Sequence, residues 1–126
     1  MLDNAEPVAF IPSQNLARSR RFYEQTLGLA LAGEDSFAVV FRIGGITLRV
    51  TNVSNVKDFK PHSFTALGWH VPDATLAVQE LTNRGIVFER FPGIEQDSLG
   101  IWSAPSGSKV AWFKDPEGNI LSISQS

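Results

Sequence analysis

Few side chains in this 126-residue chain can do chemistry, and their placement narrows what that chemistry is. There are two histidines, His62 and His70, and no cysteine, which excludes a thiolate nucleophile, a disulfide framework and a zinc site of the cysteine type. His70 closes the run FTALGWH, two residues before Pro72. An imidazole there either serves as a general base near neutral pH or sits solvated at the exposed end of a strand. His62 lies in the polar stretch NVSNVKDFKPHS, where a solvated side chain is the default. Arg49 is the sharper candidate, because it falls in ITLRV, whose alternation puts Ile46, Leu48 and Val50 on one face and Thr47, Arg49 and Thr51 on the other. A guanidinium on a mostly covered sheet needs an anion, from a ligand or from the protein itself, with Glu95 or Asp97 as the internal choices. Trp102, in GIWSAPSG, belongs to a loop or bent strand; as part of a lid it touches ligand, and otherwise it is a dimer contact. Arg18, Arg20 and Arg21 share one helix and read as its solvated face.

These residues hang on elements that the apolar pattern outlines. VAFIPS (8–13) reads as a strand, and Asn15 then caps a helix with Leu16, Phe22, Tyr23 and Leu27 on one side and Gly28 at its end. FAVVFRI (37–43) and ITLRV (46–50) flank the glycine pair 44–45 as a hairpin. The plan then repeats: FTALGWHV (64–71) is a strand, Asp73 caps a helix carrying Ala74, Ala77, Val78 and Leu81, and Gly85 closes it. Ile86 to Phe91 reads as the next strand, residues 92–108 as a long excursion, and KVAWFKDPEGNILSI (109–123) as a hairpin around Asp115-Pro116-Glu117-Gly118. Two strand-helix-strand-strand-strand modules are therefore expected, about 7–51 and 64–126, joined by 52–63 in one domain.

Composition limits the partners. With 43% hydrophobic residues the chain can build a real core, and 11 basic against 13 acidic side chains, well mixed, leave no basic face for nucleic acid. The N-terminal MLDNAEPVAF lacks a basic segment followed by an apolar one, and no apolar run approaches the roughly 20 residues needed to span a bilayer. A cytoplasmic protein with no membrane partner is expected.

The segments NLARSRRFYEQTLGL (15–29) and WFKDPEGNILSI (112–123), in this module order, resemble the vicinal oxygen chelate superfamily, which includes glyoxalase I, extradiol dioxygenases, fosfomycin-modifying enzymes and bleomycin-resistance proteins. The resemblance implies an α+β fold in which paired βαβββ units curl into a cup with helices outside, and a homodimer. It also implies four inward strand positions that bind a divalent ion in metal-using relatives through His, Glu or Gln. Here they fall on Val8, Arg49, Ala66 and Ser122. None is a credible ligand, and Arg49 opposes an ion: unit charges about 4 Å apart interact by roughly 1–4 kcal/mol in wet surroundings, and a divalent ion doubles that. No metal and no other cofactor is expected. If Leu67, Trp69 and Val71 pack under the helices, then Phe64, Ala66, Gly68 and His70 face the cup, as do Val8 and Phe10 on the first strand and Ser122 and Ser124 on the last. Trp112 matches an inward aromatic of the fosfomycin-modifying relatives and either stacks on a ligand or simply packs.

The leading expectation is a metal-independent protein that binds a small anionic or aromatic molecule, with Phe10, Trp102 and Trp112 as walls, Arg49 as anchor, and His70 and Ser122 as further polar contacts. The alternative is a lyase, isomerase or dioxygenase-type enzyme with His70 as base and Arg49 steadying an enolate. A purely structural dimerisation module, its cup filled by its own side chains, is the third.

Overall fold

The computed structural model describes every residue from Met1 to Ser126, and the chain divides into two compact units, Met1–Pro61 and His62–Ser126. The division falls inside the stretch expected to join two modules. Each unit is α+β and runs strand, helix, then three strands. The first comprises β1 (Val8–Ser13), α1 (Leu16–Arg21), β2 (Ala30–Glu34), β3 (Ala38–Ile43) and β4 (Ile46–Asn52). The second comprises β5 (Thr65–His70), α2 (Ala74–Asn83), β6 (Trp102–Ser103), β7 (Lys109–Lys114) and β8 (Ile120–Gln125). The sheet orders are β1-β4-β3-β2 and β5-β8-β7-β6, so in each unit the first strand lies beside the last. Those outer pairs are parallel and the remaining pairs antiparallel. The repeat inferred from sequence is thus a repeat of topology as well.

Each helix begins where a polar side chain can satisfy free backbone amides. Asn15 accepts from the Arg18 amide at 3.1 Å and Asp73 from the Leu76 amide at 3.0 Å. Gln125, at the end of β8, adds an acceptor 2.8 Å from the Ala74 amide, tying α2 to the sheet it covers. After Arg21 the first helix widens into a π-helical turn over Phe22–Thr26, with the Leu27 amide bonding the Phe22 carbonyl, before Gly28 leaves at φ 75°. Phe22 and Tyr23 lie within that turn, Tyr23 fully buried, their rings edge to face with centroids 5.2 Å apart.

Period-2 alternation decides what each helix covers. In the first unit Ile11, Val39, Phe41, Leu48 and Val50 are buried with Tyr23, and in the second Ala111, Phe113, Leu121 and Ile123 are buried with Val78 and Phe88. Burying each large member contributes roughly 1.5–3 kcal/mol, enough to fix the strand registers. A one-residue slip would turn these rows outward.

Two segments depart from expectation. Residues 86–91 form no strand: Ile86 and Phe88 do turn inward and Val87 outward, but the only rung to β7 is the Glu89 amide to the Trp112 carbonyl, 2.8 Å. The edge of β7 further along is taken by β6, which is in register with Val110 and Lys109. Residues 30–34, given no element from sequence, are β2, with a bulge between Leu31 and Gly33. No helix is long and apolar enough to cross a membrane.

Candidate functional site

In both units the sheet face away from the helix carries the polar and aromatic candidates, and each face is built from rows of register partners. On the first, Phe10, Arg49 and Val40 form one row across β1, β4 and β3. Val8, Thr47 and Arg42 form the row on one side, and Pro12, Thr51 and Ala38 the row on the other. Phe10 is 62% exposed although apolar, and Val8 46%. Arg49 is half-buried, as its alternation requires, while Leu48 and Val50 are sealed below.

The charges on this face are unevenly compensated. Arg42 is ion-paired with Glu6 and donates to the Thr47 hydroxyl at 2.6 Å. Arg20, on the helix, bonds Glu24 and Glu34. Arg49 has no such bond; its influence reaches Asp35 only through its field. The Asp35 carboxylate is already engaged, accepting from the Phe37 amide at 2.8 Å and the Ala38 amide at 3.0 Å. Those two bonds, with a smaller contribution from Arg49 and against the effect of burial, hold its pKa below the ordinary 3.8. Asp97, one of the internal partners expected for Arg49, is used inside its own loop, where Oδ1 accepts from the Leu99 and Ile101 amides at 2.9 Å each. Two residues beyond Arg49, the Thr51 hydroxyl is enclosed without a hydrogen-bond partner.

The second face is aromatic. Gly68, Ser122 and Trp112 form one row across β5, β8 and β7, and His70, Ser124, Val110 and Trp102 the next across β5, β8, β7 and β6. Trp102 and Trp112 lie with centroids 6.2 Å apart and planes tilted by 31°, and Phe91 meets Trp112 edge to face at 5.5 Å. Ser122 Oγ occupies the space that a side chain at position 68 would take, so a Cβ on Gly68 would collide with it. Beside Trp102 the excursion encloses an open hollow of about 670 Å³, lined among others by Gln96, Asp97, Ile101 and Pro105. Gln96 fastens that excursion, its Nε2 donating to the Glu89 and Gly100 carbonyls and its Oε1 accepting from the Phe91 amide.

Trp102, Trp112, Ser122 and His70 are therefore brought onto one face, and Phe10 and Arg49 onto another. His70 is exposed and engaged locally: the Ser126 amide donates to Nε2 at 3.2 Å, and the Ser126 hydroxyl lies 2.8 Å from the same nitrogen. An acceptor Nε2 puts the ring proton on Nδ1. His62 stacks on Phe64 with centroids 4.8 Å apart. Phe91 and Gln96 were not singled out from sequence. Parity offered a signal for Phe91, since Ile86 and Phe88 point into the core and an odd-numbered neighbour must face the other way.

At the four positions that the resemblance assigns to an ion in metal-using relatives, each side chain taken by itself is a poor donor. Val8 and Ala66 have no donor atom, Ser122 has a neutral hydroxyl, and Arg49 is a cation. No group of three or more His, Cys, Asp or Glu side chains is placed to hold a metal.

The comparisons with known proteins agree with this architecture. No curated protein matches the chain significantly. Among solved structures, a member of the glyoxalase/bleomycin resistance protein/dioxygenase superfamily from Sphaerobacter thermophilus superposes with a TM-score of 0.74 at 22% identity, covering 100% of both chains. A glyoxalase-related enzyme from Fulvimarina pelagi gives 0.72 at 20% identity, covering 98% of this chain and 88% of that one. Lactoylglutathione lyase from Agrobacterium tumefaciens gives 0.70 at 18%, covering 98% and 94%. At these identities the likeness concerns the fold alone. The sequence itself matches the family described as glyoxalase/bleomycin resistance protein/dioxygenase superfamily over residues 6–123, and with the two βαβββ units this places the chain in that superfamily.

Proposed function

We propose that the protein binds a small molecule without a metal ion, in the manner of the non-catalytic members of its superfamily, and acts as a homodimer. The observation that carries this is the set of side chains at the four strand positions: Val8, Arg49, Ala66 and Ser122 offer one neutral oxygen and one fixed positive charge. A divalent cation needs several anionic or imidazole donors, and none of these four residues is one. What these faces do offer is flat apolar surface with a few polar groups, Trp102, Trp112 and Phe91 on one and Phe10 with Arg49 on the other, the usual make-up of a small-molecule site. His70, engaged by Ser126 and exposed, fits a polar contact better than a poised base.

Elemental analysis of protein purified without chelator, followed by a thermal-shift screen of small acids and aromatic compounds, tests the proposal. Metal well below one equivalent, together with at least one compound that raises the unfolding temperature in the presence of chelator, is expected. One equivalent of nickel, iron, manganese or zinc, whose removal lowers the unfolding temperature, would contradict it and favour the metal-dependent enzyme.

A further inference from the structure

We infer that Arg49 anchors the carboxylate of a monoanionic ligand whose planar apolar body lies on Phe10. This deepens the small-molecule-binding function proposed above and rests on it. A half-buried guanidinium is costly to leave without an anion, and Arg49 forms no ion pair within the first unit. Glu6 is committed to Arg42, Glu24 and Glu34 to Arg20, and Asp35 to the Phe37 and Ala38 amides. Arg42 stands on the same face and is ion-paired; Arg49 is not. The face thus presents one guanidinium without a direct ion pair, its only charged neighbour being Asp35 acting through its field, and a single open cation suits a carboxylate better than a phosphate dianion.

The neighbours define the rest of the ligand. Phe10 is the register partner of Arg49 on β1 and Val40 its partner on β3, so the guanidinium emerges between an aromatic and an aliphatic side chain. Phe10 is left 62% exposed, an unusual state for a phenyl ring on a strand that otherwise buries Ile11. A flat body beside the carboxylate would cover that ring while its charge meets the fork of Arg49. The Thr51 hydroxyl, being enclosed, makes no part of this contact.

Benzoate and its neutral isostere benzamide, titrated by calorimetry into the full-length protein in chelator, test the inference. Benzoate should bind at least tenfold more tightly than benzamide, the factor expected for a charge-assisted hydrogen bond. Arg49→Met should lose that preference, Arg49→Lys should keep part of it, and Phe10→Ala should weaken both compounds alike. The comparison of the two compounds on the unaltered protein needs no variant to fold. Equal affinity for benzoate and benzamide, or a preference that survives in Arg49→Met, would overturn the inference while leaving small-molecule binding intact. If neither compound binds and no uncharged aromatic in the screen does, both fall together.

Discussion

Two residues on the first unit show how a sheet face tolerates unfinished electrostatics. Asp35 accepts two backbone amides on Oδ1, so its carboxyl titrates below 3.8. Because the folded pKa is depressed, the stabilisation it contributes is present above the unfolded value and fades as the pH falls through the folded one. Carbon-detected NMR should find the Asp35 carboxyl more ionised than ordinary aspartates at the pH where those are half protonated, and the loss of stability in Asp35→Ala should be larger at pH 7 than in strong acid. Thr51 is the opposite case, a polar atom with no partner. Replacing it by valine keeps the branched shape and removes the desolvated hydroxyl. Thr51→Val should therefore raise stability by about 0.5–1.5 kcal/mol in urea unfolding.

At the scale of elements, the turn joining β7 to β8 holds the aromatic face in register. Asp115 and Asn119 are both nearly fully buried; Asp115 Oδ1 accepts from the Glu117 and Asn119 amides at 2.9 Å each, and Oδ2 from Asn119 Nδ2 at 2.8 Å. Gly118, at φ 92°, supplies the left-handed step that lets the chain return. Asp115→Ala strands buried donors and should cost roughly 2–4 kcal/mol, measured by urea unfolding. Chemistry of this local kind is legible in a sequence, since Asp-Pro-Glu-Gly specifies its own geometry. So is strand alternation: Leu48 and Val50 inward with Arg49 outward follows from period 2 alone. Residues 86–91 mislead for the same reason, because alternation reports which side chains are buried and not whether the backbone finds a ladder partner. Residues 30–34 hide behind small side chains and the Gly33 bulge, and the π-helical turn at Phe22–Thr26 leaves no periodic trace over so short a span.

At the scale of the molecule, duplication was visible because capping residue, apolar stripe and closing glycine recur in the same order, and the two sheets reproduce it strand for strand. The candidate site was legible only as parity. Which side chains face away from the helices follows from alternation, whereas the meeting of Trp102 with Trp112 depends on how a long excursion returns to the edge of β7, and Gln96 secures that path through three bonds no pattern announces. The metal-independent binding proposed above rests on a cation, Arg49, standing on β4 of a member of this superfamily. Calorimetric titration of nickel, manganese, ferrous and zinc salts into chelator-treated protein tests that claim most directly. No saturable heat is expected from any of them, and benzoate binding should be unchanged by their presence; a one-to-one isotherm for any of these ions is the opposite result and would overturn metal independence.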